Sequence, residues 1–472
     1  MLRRAARRRV ALLAGFAAAW LLLCCAPALA HATLVEASPA RGGEVSEPPD
    51  RVELRFTEPV DAEFDPVVVR NADGARLDAR DARVDPEDAR VVLAGLEELP
   101  EGSYTVEWRV TSIDGHVVEG RYGFAVAAAG EDRSPRDAGN GEKTSEATGA
   151  HGGHHAGHNG GGTGEMASPD RRAPVHGPAE ARAAEISHGL ALAATAFLAG
   201  LAPFVALVWL PANGQSGVGR AAIRPLGALA WGLLVALAVA GAGELYSYAA
   251  RASGGALSAE LFSQALLDSR VGAVWLGRIG LALLVATSIT AAARSGRAWP
   301  WWAATGTSAV LLTTLTGLSH AAATGLPLPL LADWTHAAAA AVWMGGLLGF
   351  AVALFSAPLR GLAPDLQAKV RERSVRRFSS VATTAVAVLA CTGLYAAVLH
   401  VPSPQALVAT PYGRALLVKL ALLTLLLAVG ASNLLLRGRG PFGRLLVVEL
   451  FLALGLFTAT GFLTSMPPPS GG

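Results

Sequence analysis

The chain has 472 residues and a formal net charge of +2; 52% of its residues are hydrophobic and only 16% charged, with a mean hydropathy of +0.40. That composition excludes a disordered chain and an ordinary water-soluble enzyme, and points to a membrane protein of two or three domains. Charge is uneven: residues 31–130 hold twenty-one Asp and Glu against ten Arg and no Lys. Such an acidic segment attracts cations and argues against nucleic acid as a partner.

The first thirty residues read as a secretory signal. Arg3, Arg4, Arg7, Arg8 and Arg9 precede an apolar run from Val10 to Leu23, and Ala28-Leu29-Ala30 has the small-x-small pattern of a cleavage site. Cleavage after Ala30 removes residues 1–30, with Cys24 and Cys25, and makes His31 the first residue. Leu23 is not the small residue that would make Cys24 a lipid-anchored cysteine. Cys391 then stands alone in an apolar segment as a packing residue, so the segment after the signal has no disulfide.

Residues 31–127 read as a small β-sandwich or barrel. Arg51–Phe56 alternates polar and apolar residues, and Tyr104–Val110 places Tyr104, Val106, Trp108 and Val110 on one face. Val67–Arg70, Arg90–Leu93 and Val117–Val126 are further strands, with turns at Ala72-Asp73-Gly74, Asp85-Pro86 and Pro100-Glu101-Gly102. Trp108 belongs to the core. Residues 128–184 are a disordered linker, rich in Gly, Ser, Asp, Glu and His, with a histidine cluster at His151, His154, His155 and His158 that suits loose binding of Cu(II) or Zn(II).

Residues 185–466 read as an all-α membrane domain, followed by a short tail, 467–472. Eight apolar spans lie near 187–210, 226–250, 271–293, 299–320, 331–355, 379–400, 414–436 and 444–465. Each is long enough for a hydrocarbon core of about 30 Å. With the first domain outside, thirteen Arg and Lys fall on inner loops and only Arg251, Arg270 and Arg414 on outer ones. This bias places both ends of the domain on the extracytoplasmic side of the cytoplasmic membrane.

Two groups of metal donors emerge. His31 at a free N-terminus offers its α-amine and its imidazole, and Ser112-Ile113-Asp114-Gly115-His116 offers a carboxylate and a second imidazole. Three nitrogens and one oxygen in a tetragonal set suit Cu(II); Zn(II) is the alternative metal. No Met or Cys occurs in residues 31–130, so no Cu(I) site is expected there. In the membrane half, His188, His320, His336 and His400 all map to outer ends of spans, and Met344 follows His336 by eight residues on one helical face. His188, His320, His336 and Met344 are the candidates for a vestibule open to the outside. Glu449 and Lys419 lie inside apolar spans and are candidates to pair with each other.

These residues resemble a fusion of the CopC and CopD copper-resistance families, of the kind found in copper uptake proteins. The CopC resemblance rests on His31-Ala32, Leu34 through Ser38-Pro39-Ala40-Arg41-Gly42, Phe56-Thr57-Glu58-Pro59-Val60 and Ser112–His116; the CopD resemblance rests on Asp333–His336, Val342–Gly346, Arg377-Phe378-Ser379 with Thr392-Gly393, and Tyr412–Lys419. It implies a Greek-key, Ig-like β-sandwich that binds Cu(II) through His31, Asp114 and His116, ahead of an eight-span domain for copper passage, usually import. The methionine-rich Cu(I) loop of some CopC proteins is absent. The expected activity is copper binding and transport without catalysis, with an extracytoplasmic copper-carrying protein as a possible partner. The alternatives are a haem-containing membrane cupric reductase and a membrane-anchored copper store. No Walker A loop or P-type phosphorylation motif accompanies these features.

Overall fold

Alternation of apolar and polar residues dictates the N-terminal architecture. In the computed structural model, which describes residues 32–127, 178–214, 216–255, 258–319, 326–401, 403–435 and 442–466, the strands are β1 (Leu34–Ser38), β2 (Glu44–Val45), β3 (Arg51–Phe56), β4 (Val60–Asp61), β5 (Val67–Asn71), β6 (Arg83–Val84), β7 (Val91–Gly95), β8 (Gly102–Ser112) and β9 (Val117–Val126). One sheet has the order β1-β3-β7-β6; the other runs β2-β9-β8-β4, with β5 also on β8. Val52, Leu54, Phe56, Val67, Val69, Val92 and Val106 fill the space between them. Trp108 packs edge-on against Phe56 at 5.2 Å and lies over Gly120, its cross-strand partner, where a Cβ would overlap the indole ring. The β class and the five strands read from the sequence are therefore present.

The helical half contains α1 (Pro178–Phe204), α2 (Pro225–Ala252), α3 (Ala259–Leu267), α4 (Arg270–Ser295), α5 (Trp299–Thr316), α6 (Pro327–Ala340), α7 (Pro364–His400), α8 (Pro411–Leu435) and α9 (Phe442–Thr464). Two continue through a wider π-turn: α1 through Val205–Trp209 into Leu210–Asn213, and α6 through Ala341–Gly345 into Gly346–Leu354. Helix α1 starts at Pro178, inside the segment expected to be a linker to residue 184; its first turns are rich in Ala and Glu, which favour a helix as readily as a spacer.

Seven helices are long and apolar enough to cross a membrane among the described residues. The eighth expected span is α5. It has 18 residues, about 27 Å of rise, and its three Trp and five Thr leave it less apolar than the others. It nevertheless packs along α4, and Arg270 at the start of α4 donates to the Gly317 carbonyl just past the end of α5, at 3.2 Å.

Helix α1 is the hub. Its most apolar stretch is 89% buried, against 6–61% for the other candidate spans. It crosses α6 at Gly200, where a Cβ would overlap the Ala341 carbonyl oxygen and press on Gly345. Small residues let two backbones approach this closely. Gly200→Leu is expected to lower the thermal stability of the detergent-solubilised protein, at a cost of about 1–3 kcal/mol or more. Gly232→Leu, which meets nothing within 4 Å, leaves it within error.

Candidate metal centre

The centre begins with a tight turn. Strands β8 and β9 pair as far as Thr111↔Val117, and the chain reverses through Ile113–His116. Gly115 adopts φ +86°, a conformation open to glycine at little cost. The Gly115 amide donates to the Ser112 carbonyl at 2.9 Å and the Ser112 amide to the His116 carbonyl at 2.8 Å. This geometry turns Asp114 and His116 to the same side. Asp114 Oδ1 accepts from the His116 amide at 3.1 Å and lies 3.1 Å from His116 Nδ1. Two adjacent ligands about 2.0–2.1 Å from one metal at right angles are about 2.9 Å apart, so this imidazole and carboxylate can share an ion with little movement.

The start of the described chain is stitched to the same corner. The Thr57 amide donates to the Thr33 carbonyl and the Thr33 amide to Thr57 Oγ1, both at 3.0 Å. The next residue, buried Glu58, takes the hydroxyl of buried Ser112. His31, His320 and the linker histidines His151, His154, His155 and His158 lie outside the described residues. Among the described residues no group of three His, Cys, Asp or Glu could hold one ion; Asp114 and His116 are the two expected donors that the turn brings together.

The corner rests on the helical half. A side chain on Gly115 would stand 3.6 Å from Val271 at the start of α4 and 3.9 Å from Leu318 after α5. Tyr248 on α2 donates to Glu63 Oε2 at 2.9 Å and shares a hydrogen bond with Thr111 Oγ1 at 3.3 Å, while Phe64 packs edge-on against its ring. Val117 and Phe64 join Leu245, Ala249, Ala252 and Val271 in one apolar cluster across the contact. Burial raises the Glu63 carboxyl to about 7, against the Tyr248 hydrogen bond and with help from the charges of Asp61 and Asp268. Burial also raises Asp61, opposed by Arg270.

Deeper in the bundle, His188 Nδ1 is hydrogen-bonded to Glu244 Oε1, whose other oxygen is 3.8 Å from Arg278. Arg278 also donates to Thr314 Oγ1 at 3.2 Å and to its carbonyl at 3.0 Å. His336 Nδ1 lies 2.8 Å from Thr392 Oγ1. Met344 is buried in the π-turn of the α6 rod. The described members of the expected vestibule thus sit in separate helix pairs and do not converge on one centre. Lys419 and Glu449 do not pair: the Asn433 amide donates to Glu449 at 2.8 Å, and the acid interacting with Lys419 is Asp333. Sequence reading gave no role to Glu63, Tyr248 or Arg278, and named Thr392 only within the CopD-like Thr392-Gly393 pair. Arg278 carried a signal, a charge inside an apolar span.

Comparison with known proteins agrees with this architecture. Residues 34–127 match the CopC domain, residues 183–328 the copper resistance protein D-like N-terminal domain, and residues 372–463 copper resistance protein D. The chain is a CopC–CopD fusion. It is 28% identical over 455 residues to the copper transport protein CutJ of Bacillus subtilis, covering 93% of this chain and 75% of that protein. Over 98 residues it is 32% identical to protein YobA of Escherichia coli K12, covering 21% of this chain and 79% of YobA. Among solved structures, CopC from Methylosinus trichosporium OB3b is 35% identical, covering 21% of this chain and 94% of that one, with a TM-score of 0.20. PcoC, a methionine-rich copper resistance protein from Escherichia coli, is 27% identical, covering 20% of this chain and 98% of that one, with a TM-score of 0.18. The fusion therefore joins a copper-binding domain family to a membrane-spanning copper resistance family.

The Glu63 contact gives docking a pH dependence. Between the ordinary value of 4.5 and about 7, the docked carboxyl holds a proton that the free one has released. Docking is therefore strongest below pH 4.5, weakens as pH rises, and levels off above pH 7. Amide protection at the Tyr248 end of α2, corrected for the intrinsic pH dependence of exchange, should fall over that range in the wild type and fall less in Glu63→Gln.

Proposed function

We propose that this fusion captures Cu(II) outside the cytoplasmic membrane and delivers it to its own membrane domain for import, contributing to copper homeostasis and resistance. The observation that carries this reading is the position of the Asp114–Gly115–His116 corner: its two donors lie 3.1 Å apart while its glycine faces Val271 and Leu318 at the top of the helices. A storage protein anchored by passive spans has no use for a metal-binding turn seated on the bundle.

In this reading, cleavage after Ala30 frees the His31 amine and imidazole, and these join Asp114 and His116 around Cu(II). The stitching of Thr33 to Thr57, and of Glu58 to Ser112, supports it, because His31 is two residues before Thr33. The absence of Met and Cys from residues 31–130 favours the cupric over the cuprous ion. The histidines of residues 128–177 act as a loose collector, and the tether keeps the loaded domain at high local concentration over the helices. The domain and the C-terminus face the extracytoplasmic side, where a copper-carrying protein can load the site. The protein moves copper without catalysing a reaction, and transmembrane gradients drive the movement.

The mature protein is expected to begin at His31 by N-terminal sequencing. Its Cu(II) form is expected to show nitrogen hyperfine structure in electron paramagnetic resonance, altered in His116→Ala. Cells making His116→Ala should accumulate several-fold less copper than wild type at equal protein levels. Equal accumulation would remove the delivery role of the first domain.

A further inference from the structure

One cleft in the helical half belongs to neither set of metal donors. It opens on the face away from the β domain, where α1 and α4 end and α5 begins. Leu210 from the end of the α1 rod, Ile223 from the short helix Gly217–Ile223, Ala292 from α4 and Trp301 from α5 give it an apolar lining, and Arg220 and Arg297 line it with exposed side chains.

Local geometry brings the arginines there. Helix α4 stops at Ser295, and Gly296 takes φ +65°, the left-handed cap that lets the chain turn towards α5. The Arg220 guanidinium reaches across to this turn. Its Nη1 lies 3.5 Å from the Gly296 carbonyl oxygen, and a side chain on Gly296 would begin 3.2 Å from that nitrogen. This long contact engages one of the five N–H donors of the group. Arg297 is the next residue. Its amide donates to Ser295 Oγ at 3.2 Å, and among the described residues its guanidinium has no ion pair or hydrogen bond.

Neither cation has a carboxylate of its own. No Asp or Glu occurs between Glu185 and Glu244 or between Asp268 and Asp333, the two stretches that build the cleft. The four acids that bound those stretches all lie towards the β domain, at the other end of the bundle. Two guanidinium groups beside an apolar lining, without an internal counter-ion, suit an anion that also carries hydrocarbon.

The surroundings name the anion. Trp299 and Trp302, 64% and 54% exposed in the first turn of α5, mark this level as the boundary between bilayer and water. The positive end of the α5 dipole lies at the same place. An acidic protein segment would match the charge but would leave the apolar lining, which meets the lipid boundary, unused.

We infer that this cleft binds the headgroup of an anionic phospholipid. Arg220 and Arg297 take the phosphate oxygens, for which the planar fork of arginine is shaped. Leu210, Ile223, Ala292 and Trp301 pack against the glycerol and the first acyl carbons. In the orientation proposed above the lipid belongs to the cytoplasmic leaflet, but its binding depends on neither copper nor that orientation.

The test separates a built site from general attraction to charge. Arg373 and Arg376 on α7 provide the control. They are exposed on the same face, where neighbouring Ser374 meets Asn213 at 2.9 Å, and they lie outside the cleft. Full-length protein in detergent is stripped of lipid and titrated with phosphatidylglycerol or phosphatidylcholine of the same acyl chains, and bound lipid is counted by native mass spectrometry. One phosphatidylglycerol should bind about tenfold more tightly than phosphatidylcholine. Arg220→Gln with Arg297→Gln should abolish that preference, Arg373→Gln with Arg376→Gln should leave it intact, and a millimolar excess of inorganic phosphate should not displace the lipid. Thermal unfolding reports whether each variant is folded. Equal binding of the two lipids by wild type overturns the inference without any variant. A preference that survives loss of Arg220 and Arg297, or that falls equally with Arg373 and Arg376, overturns the site. Displacement by inorganic phosphate assigns the cleft to a free anion and overturns the lipid. Copper movement is not read, so failure here leaves the transport reading standing.

Discussion

Contact between the Asp114–His116 turn and the ends of α4 and α5 is the constraint on which the rest depends. Gly115 permits the turn through its φ of +86°, and it faces Val271 and Leu318 across the contact. Tyr248 holds the domain from the side, gripping Glu63 in the loop after β4 and Thr111 on β8 at once. Without these contacts the first domain would be a tethered metal binder with no fixed relation to the helices. With them, the candidate copper ligands stand over the bundle, and the same helix that grips the domain carries Glu244 one turn below Tyr248.

That vertical arrangement links two kinds of chemistry. The upper layer offers imidazole and carboxylate groups in a tight turn on an acidic domain. The lower layer spends its histidines on hydrogen bonds to Glu244 and Thr392, next to bases.

Much of this was legible before any coordinates. The strands at Arg51–Phe56 and Val117–Val126 carry the period of two that a half-buried sheet requires, and they form where expected. The Asp-Gly-His turn was legible because glycine and acidic residues mark both a reversal and a ligand. The start of α1 was not: Ala and Glu near residue 180 serve helix and linker alike, and packing against the bundle decides. The Tyr248–Glu63 contact joins residues 185 positions apart, with no local pattern to announce it. The partner of Lys419 was misjudged for the same reason. Glu449 is an acid in a neighbouring span, but Asn433 occupies it and Asp333 on α6 supplies the charge.

Helix α5 brings a consequence for the surrounding lipid. Its 18 residues rise about 27 Å, less than the roughly 30 Å of an average hydrocarbon core. Trp299 and Trp302 are exposed at its first turn, away from the β domain, where indole rings settle among lipid headgroups. A short rod pinned at one end draws the two leaflets together beside it, while the longer α7 and α2 favour full thickness or tilt. A bilayer spanned by this rod would thin on that flank, where lipids with shorter acyl chains would fit best.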